Sequence, residues 1–157
     1  MIDDAAILIV EDDSDVQRAA RIALSGHCKL IEALDGPDAL ANRLEVLSFD
    51  VVLLDMNFVT GERSGAGGLD ALAHLQGLDA TLAVVLMTAY GSVSLAVEAL
   101  KHGAADFVLK PWRNDKLIAT VMAAAMATRR RRAAETLNLD TLERGAIERA
   151  LLQHGGN

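Results

Sequence analysis

Four short strand-like runs in this chain, apolar but for Asp106, end in residues that can do chemistry. Ile7 to Val10 runs into Glu11, Asp12 and Asp13, Val51 to Leu54 into Asp55, Leu82 to Met87 into Thr88, and Asp106 to Leu109 into Lys110. Carboxylates crowded together repel one another, and their pKa values rise unless a cation sits among them. A hard divalent ion with oxygen ligands, Mg²⁺ above all, resolves that conflict. A hydroxyl and an ammonium beside it are what the oxygens of an arriving phosphoryl group need. Any one of these residues alone reads as a turn cap or a solvated surface group. All of them at the ends of apolar runs read as one metal and phosphoryl site.

Those groups meet only if the runs are parallel strands that end at one edge of a sheet, the edge where open α/β sheets bind ligands. The runs are uninterrupted rather than alternating, which predicts strands buried on both faces. Cys28 to Leu34 supplies a fifth strand. Helical spacing is found from Asp15 to Leu24, with Ser14 or Asp13 available as a cap and Gly26 as a stop. It recurs from Pro37 to near Leu47, from Leu69 to Gln76, from a cap at Ser92 to His102 with Gly103 behind it, and from near Asn114 onward. Five strands alternating with five helices predict an α/β fold, a doubly wound five-stranded parallel sheet with helices on both faces. The Met56 to Gly68 loop is long and Gly-rich, and loops of that length are more often functional than accidental.

Composition narrows the class. With 157 residues, 52% of them hydrophobic, there is material for one well-buried domain and an appendage. Only 3% are aromatic, too few rings for a nucleic-acid stacking surface on the main body. Residues 1–128 carry 18 acidic and 9 basic side chains, whereas 129–157 carry 4 and 6, so an acidic body precedes a mildly basic tail. Cys28 is the single cysteine and the chain does not open on a secretory pattern, which predicts a reduced, cytoplasmic setting. The longest apolar run, Leu117 to Ala127, is interrupted by Thr120 and is too short for a membrane span.

The segments Ile-Leu-Ile-Val-Glu-Asp-Asp (7–13), Val-Val-Leu-Leu-Asp (51–55), Met-Thr-Ala (87–89) and Phe-Val-Leu-Lys-Pro (107–111) together resemble the receiver domain of two-component response regulators. The resemblance covers about residues 5–128, and the run from Met87 to Trp112 is most similar to receivers of the NtrC class. It implies a flavodoxin-like receiver in which Asp55 is the phosphoacceptor, attacking the phosphohistidine of a sensor histidine kinase. It also implies that Mg²⁺ (or Mn²⁺) is bound by Asp12 directly, by Glu11 through water, by Asp55 and by the main-chain carbonyl of Asn57. Thr88, with Ala89 beside it, and Lys110 would hold the phosphoryl oxygens, Phe107 would swing with Thr88, and the Lys110-Pro111 bond would be cis.

There are departures from the family pattern. Val59 stands where the family usually has Pro, and the matching Gly68 comes five residues late, which makes the Gly61–Gly67 segment an insertion beside the site. Asp55-Met56-Asn57 also echoes aspartyl-phosphate phosphatases of the haloacid dehalogenase type, but those need a second Asp, as general acid, where Asn57 stands. The expectation is a phosphoryl store rather than a turnover enzyme.

The domain boundaries expected are a receiver at 1–128, a linker or helix extension at 129–138, and an output segment at 139–157. The last receiver helix shows no clear stop and is expected to carry Arg129 to Arg132 outward, either as a solvated linker or against DNA phosphates. Leu117, Val121, Ala124 and Thr128 have heptad-like spacing but are too small for a strong coiled coil. Leu142, Ile147, Leu151 and Leu152 repeat at helical spacing with Glu143, Arg144, Glu148 and Arg149 between them, and the chain closes on Gly-Gly-Asn. That stretch resembles the opening of the Fis-type helix-turn-helix of NtrC-class regulators, truncated here. A homodimer through the fourth and fifth helices, with DNA as the partner of the output domain, follows from the resemblance. The alternative is a phosphorylation-dependent protein-interaction switch without DNA binding. No Gly-x-x-x-x-Gly-Lys motif is present to support an ATPase.

Overall fold

The computed structural model describes residues 4–56, 66–89 and 93–154. β1 (Ala5–Val10), β2 (Cys28–Leu34), β3 (Val51–Asp55), β4 (Ala83–Ala89) and β5 (Asp106–Lys110) form one sheet in the order β2-β1-β3-β4-β5. Every pairing is parallel. The helices are α1 (Ser14–Leu24), α2 (Leu40–Val46, led in by a 3₁₀ turn at Pro37–Ala39), α3 (Ala66–Leu78), α4 (Val93–Lys101) and α5 (Asn114–His154). This is the flavodoxin-like doubly wound arrangement that the apolar runs predict. The first strand lies near the centre, so the chain winds one way to β2 and the other way to β5.

Alternation along the central strands fills two cores. Ile7, Ile9, Val51, Leu53, Val85 and Met87 face α1 and α5, while Leu8, Val52, Leu54, Val84 and Leu86 face α2, α3 and α4. Both sets are buried, which is why these strands read as unbroken apolar runs. Leu117, Val121, Ala124 and Thr128 form the buried stripe of α5 on the sheet. Their small size serves close helix-to-sheet packing, and their spacing reports this face.

Boundaries shift where chemistry matters. β3 includes Asp55, β4 runs on through Thr88 and Ala89, and β5 includes Lys110, so these residues belong to the strand ends rather than to the following loops. Helix α3 extends beyond the expected Leu69–Gln76 at both ends. Asp13 caps α1, its Oδ1 accepting from the backbone N–H groups of Asp15 (2.9 Å) and Val16 (3.3 Å), and Gly26 takes a positive φ of 88° just past the helix. Ser92 and the loop residues 57–65 lie outside the described residues.

The arginine run corrects an expectation. Arg129 and Arg132 do not point outward but fold onto the sheet's far edge, opposite Asp55. Arg129 pairs with Asp4 (2.9 Å) and Asp50 (3.3 Å), and Arg132 Nη2 donates to Asp79 (3.0 Å) and to the Phe49 carbonyl (2.8 Å). The cause is a buried carboxylate. Asp50 is 8% exposed and accepts from the Ala6 N–H, and a buried charge requires a partner. One turn earlier Thr128 accepts from the Ala83 N–H (2.9 Å) and donates to the Ala124 carbonyl, which fixes α5 to the start of β4. Beyond Arg132 the helix continues without a break through 129–138 and into 139–154.

Candidate functional site

Strand register brings the reactive groups to one edge. Leu54 pairs with Val10, so Asp55 lies level with the exit of β1 where Glu11 stands, and Asp55 itself pairs with Met87, one residue before Thr88. Thr88 pairs with Leu109 and Ala89 with Lys110. Oxygen atoms of Glu11, Asp12 and Asp55 lie within 4.8 Å of one another. Glu11 and Asp55 are buried and Asp12 is exposed at the rim.

The acidic triplet after β1 divides its labour. Asp13 is taken by the helix cap, Glu11 turns inward, and Asp12 remains for the site. Gln17, one turn into α1, donates to the Glu11 carbonyl and so fixes the backbone from which Glu11 and Asp12 project. Sequence reading did not find Gln17, whose only signal is its place on the first turn after an acidic strand exit.

Lys110 Nζ bridges Glu11 (2.7 Å) and Asp55 Oδ1 (3.0 Å). The Lys110-Pro111 bond is cis, as expected. Burial pushes the Glu11 carboxyl up to about 7, with the Asp55 charge adding to the effect and Lys110 opposing it. Burial pulls Lys110 down, but its two carboxylates outweigh that and hold it above its ordinary value. One ammonium thus serves two carboxylates with a third, Asp12, close by, and the surplus negative charge suits a divalent ion held by oxygens. The all-oxygen donor set of Glu11, Asp12 and Asp55 fits a hard divalent ion such as Mg²⁺.

The remaining expected residues are placed as follows. Thr88 is fully buried at the end of β4 and Ala89 is exposed beside Lys110. Phe107 is partly buried and packs on the core that faces α4. Asn57, Val59 and residues 61–65 of the Gly61–Gly67 segment lie outside the described residues, while Ala66 and Gly67 begin α3. Gly68 supplies a physical reason for its match. A Cβ there would sit 2.9 Å from the Met56 carbonyl oxygen and 3.0 Å from its Cα, so only glycine lets α3 approach the residue after Asp55. Beside Lys110 a concavity of about 490 Å³ opens between α1 and the β5–α5 turn, lined by Val16, Ala19, Pro111 and Trp112 among others.

A central parallel sheet whose first, third and fifth strands deliver an acidic pair, an Asp and a Lys to one edge defines a receiver. The chain belongs to the response regulator receiver domain family, whose model matches residues 7–122. Among curated proteins it is 30% identical over 118 residues to the transcriptional regulatory protein FixJ of Bradyrhizobium diazoefficiens, which covers 75% of this chain and 55% of that protein. It is 33% identical to PrrA of Mycobacterium leprae, covering 90% of this chain and 58% of that one. Against ZraR of Escherichia coli K12 it is again 33% identical, covering 80% and 27%. The chain thus spans between about a quarter and three fifths of these relatives' lengths.

Solved structures agree. The receiver domain of a response regulator from Bacteroides fragilis is 40% identical with a TM-score of 0.70, covering 76% of this chain and 95% of that one. NtrX from Brucella abortus, crystallised with ADP, is 27% identical with a TM-score of 0.74, covering 85% and 30%. No helix among the described residues is long and apolar enough to cross a membrane.

Proposed function

We propose that this receiver accepts a phosphoryl group on Asp55 from the phosphohistidine of a sensor histidine kinase and thereby switches a transcriptional output. The observation that carries the reading is the Lys110 ammonium shared between Glu11 and Asp55, beside Asp12, at the open edge of the sheet. Lys110 engages Asp55 Oδ1, which orients the carboxylate for in-line attack. An O–P bond forms to Asp55 as the N–P bond to histidine breaks. Asp12, Asp55 and the Asn57 carbonyl, with Glu11 through water, would hold Mg²⁺, which would supply charge neutralisation for the phosphoryl oxygens. Thr88, with the Ala89 backbone, and Lys110 take those oxygens afterwards, and Phe107 repacks with Thr88.

Asn57 in place of an acid favours a store that holds the phosphoryl group over a phosphatase. The output follows a population shift toward the state whose Thr88 and Lys110 contacts fit the phosphoryl group. Exposed Val93 and Val97 on α4 mark the face for a phosphorylation-dependent homodimer. The relatives' descriptions as transcriptional regulatory proteins support DNA as the final target, reached from the cytoplasm through a domain that the 139–157 segment begins. Arg129 and Arg132 are engaged by the body, so they are not assigned to DNA phosphates.

Incubation with a small phosphodonor and Mg²⁺ tests the reading. One phosphoryl mass is expected on the wild-type chain and none on Asp55→Ala. Addition that survives Asp55→Ala, or release of many equivalents of phosphate from a generic phosphoester, contradicts it.

A further inference from the structure

Of the three carboxylates gathered at the sheet edge, Asp12 alone is exposed, whereas Glu11 and Asp55 are buried. Lys110 gives its ammonium to those two, and among the described residues no side chain bonds the Asp12 carboxylate. Its place is therefore set by the backbone on either side of it. Both of its chain neighbours, Glu11 and Asp13, are held by one residue, Gln17.

Gln17 reaches them in two ways. Its main-chain N–H donates to the carbonyl of the cap residue Asp13 (3.0 Å), the first bond of a capped helix. Its side-chain nitrogen donates to the Glu11 carbonyl and to Asp35 Oδ1 (3.2 Å). The Glu11 N–H is taken in turn by the Leu34 carbonyl at the end of β2 (3.0 Å). Glu11 is thus gripped at both its N–H and its carbonyl, one residue past the point where β1 stops pairing with β3. A carboxamide suits the task, because its two N–H donors meet two acceptors and no charge is added beside the carboxylates.

We propose that Gln17 is the positioning residue of the divalent-ion site: by pinning the backbone before and after Asp12 it holds that carboxylate in reach of Glu11 and Asp55, and so sets the affinity for Mg²⁺. The inference rests on the reading of these three carboxylates as an ion site. Gln17 acts only through the backbone it holds. Arg21, one turn further along α1, offers the comparison. Its Nη1 donates to the Ile31 carbonyl (3.0 Å), so it also ties α1 to β2, but it holds neither neighbour of Asp12.

Two measurements on the whole 157-residue chain test the assignment: titration calorimetry with Mg²⁺ as the only ligand, and amide exchange at residues 12 and 13 in the ion-free chain. Gln17→Met keeps a long unbranched side chain of similar helix propensity and removes the donors. It is expected to weaken Mg²⁺ binding by about tenfold, the scale on which losing a group that orients a metal ligand acts. Exchange at residues 12 and 13 is expected to speed up in the same variant. Arg21→Met removes a bond between the same two elements and is expected to leave both readings unchanged, which separates positioning of Asp12 from a general loosening of α1. Unchanged affinity or unchanged exchange in Gln17→Met, or equal changes in Arg21→Met, overturns the proposal and leaves the ion site standing. A wild-type chain that takes up no Mg²⁺ overturns the site itself, and this proposal with it.

Discussion

At the scale of single residues, the site is a problem of unequal charge, with three carboxylates around one ammonium. Glu11 records the imbalance, standing near 7 instead of in the ordinary carboxylate range. Because its folded value is raised, the folded ion-free chain binds a proton that the unfolded chain has released. The stability tied to that proton is therefore full below about pH 4.5 and lost as pH rises through about 7. Mg²⁺ competes with the same proton, so its affinity, measured by titration calorimetry, is expected to fall by up to about tenfold per pH unit below 7 and to level off above it. Glu11→Gln removes that slope. A slope unchanged in Glu11→Gln would place the titrating group elsewhere. The composition of the site was legible in the sequence because each member ends an apolar run. The division of Glu11, Asp12 and Asp13 among burial, rim and cap was not, since nothing in three consecutive acids states which one turns inward.

At the scale of elements, Gly68 and Gly77 make opposite predictions within one helix. Alanine raises helix propensity by about 1 kcal/mol at either position. At Gly68 the added Cβ meets backbone atoms of Met56, and overpacking of that kind costs about 1–3 kcal/mol, so Gly68→Ala is expected to lower the urea midpoint. Gly77 has nothing within 4 Å of a built Cβ, and Gly77→Ala is expected to raise the midpoint by about 0.5–1 kcal/mol of stability. The anchor of α5 gives a third test. Arg132→Ala removes bonds to Asp79 and the Phe49 carbonyl, half-exposed interactions worth about 1–2 kcal/mol together, and is expected to speed amide exchange in α5 after Thr128. Unchanged exchange would mean that Thr128 alone fixes the helix.

The three central strands were readable because burial on both faces leaves unbroken apolar runs, the edge strands β2 and β5 from shorter apolar stretches beside charged residues, and the ends of all five moved by two residues at most. The arginines were misread as outward because the partner that turns them back, Asp50, lies 79 positions away from Arg129 and only the fold brings it near. The unbroken course of α5 past 138 was equally hidden, since a change in apolar pattern along a helix looks like the start of a new element.

At the scale of the whole molecule, the Asp55 site and the anchor of α5 occupy opposite edges of one sheet. Asp55, Glu11 and Lys110 stand at the strand exits, whereas Asp50, Asp79 and the α5 arginines stand where the strands begin. β4 spans the two, carrying Thr88 at one end and the Ala83 N–H bound by Thr128 at the other. In the proposed switch, a shift of Thr88 would have a packed route along β4 to α5. The central claim is that Asp55 carries the phosphoryl group, and borohydride trapping tests it most directly. Reduction of the phosphodonor-treated chain, followed by peptide mapping, is predicted to convert residue 55 to homoserine in an Mg²⁺-dependent manner, with residues 11, 12 and 13 unmodified. Homoserine at any of those three positions, or none anywhere after treatment with Mg²⁺ present, would contradict the account.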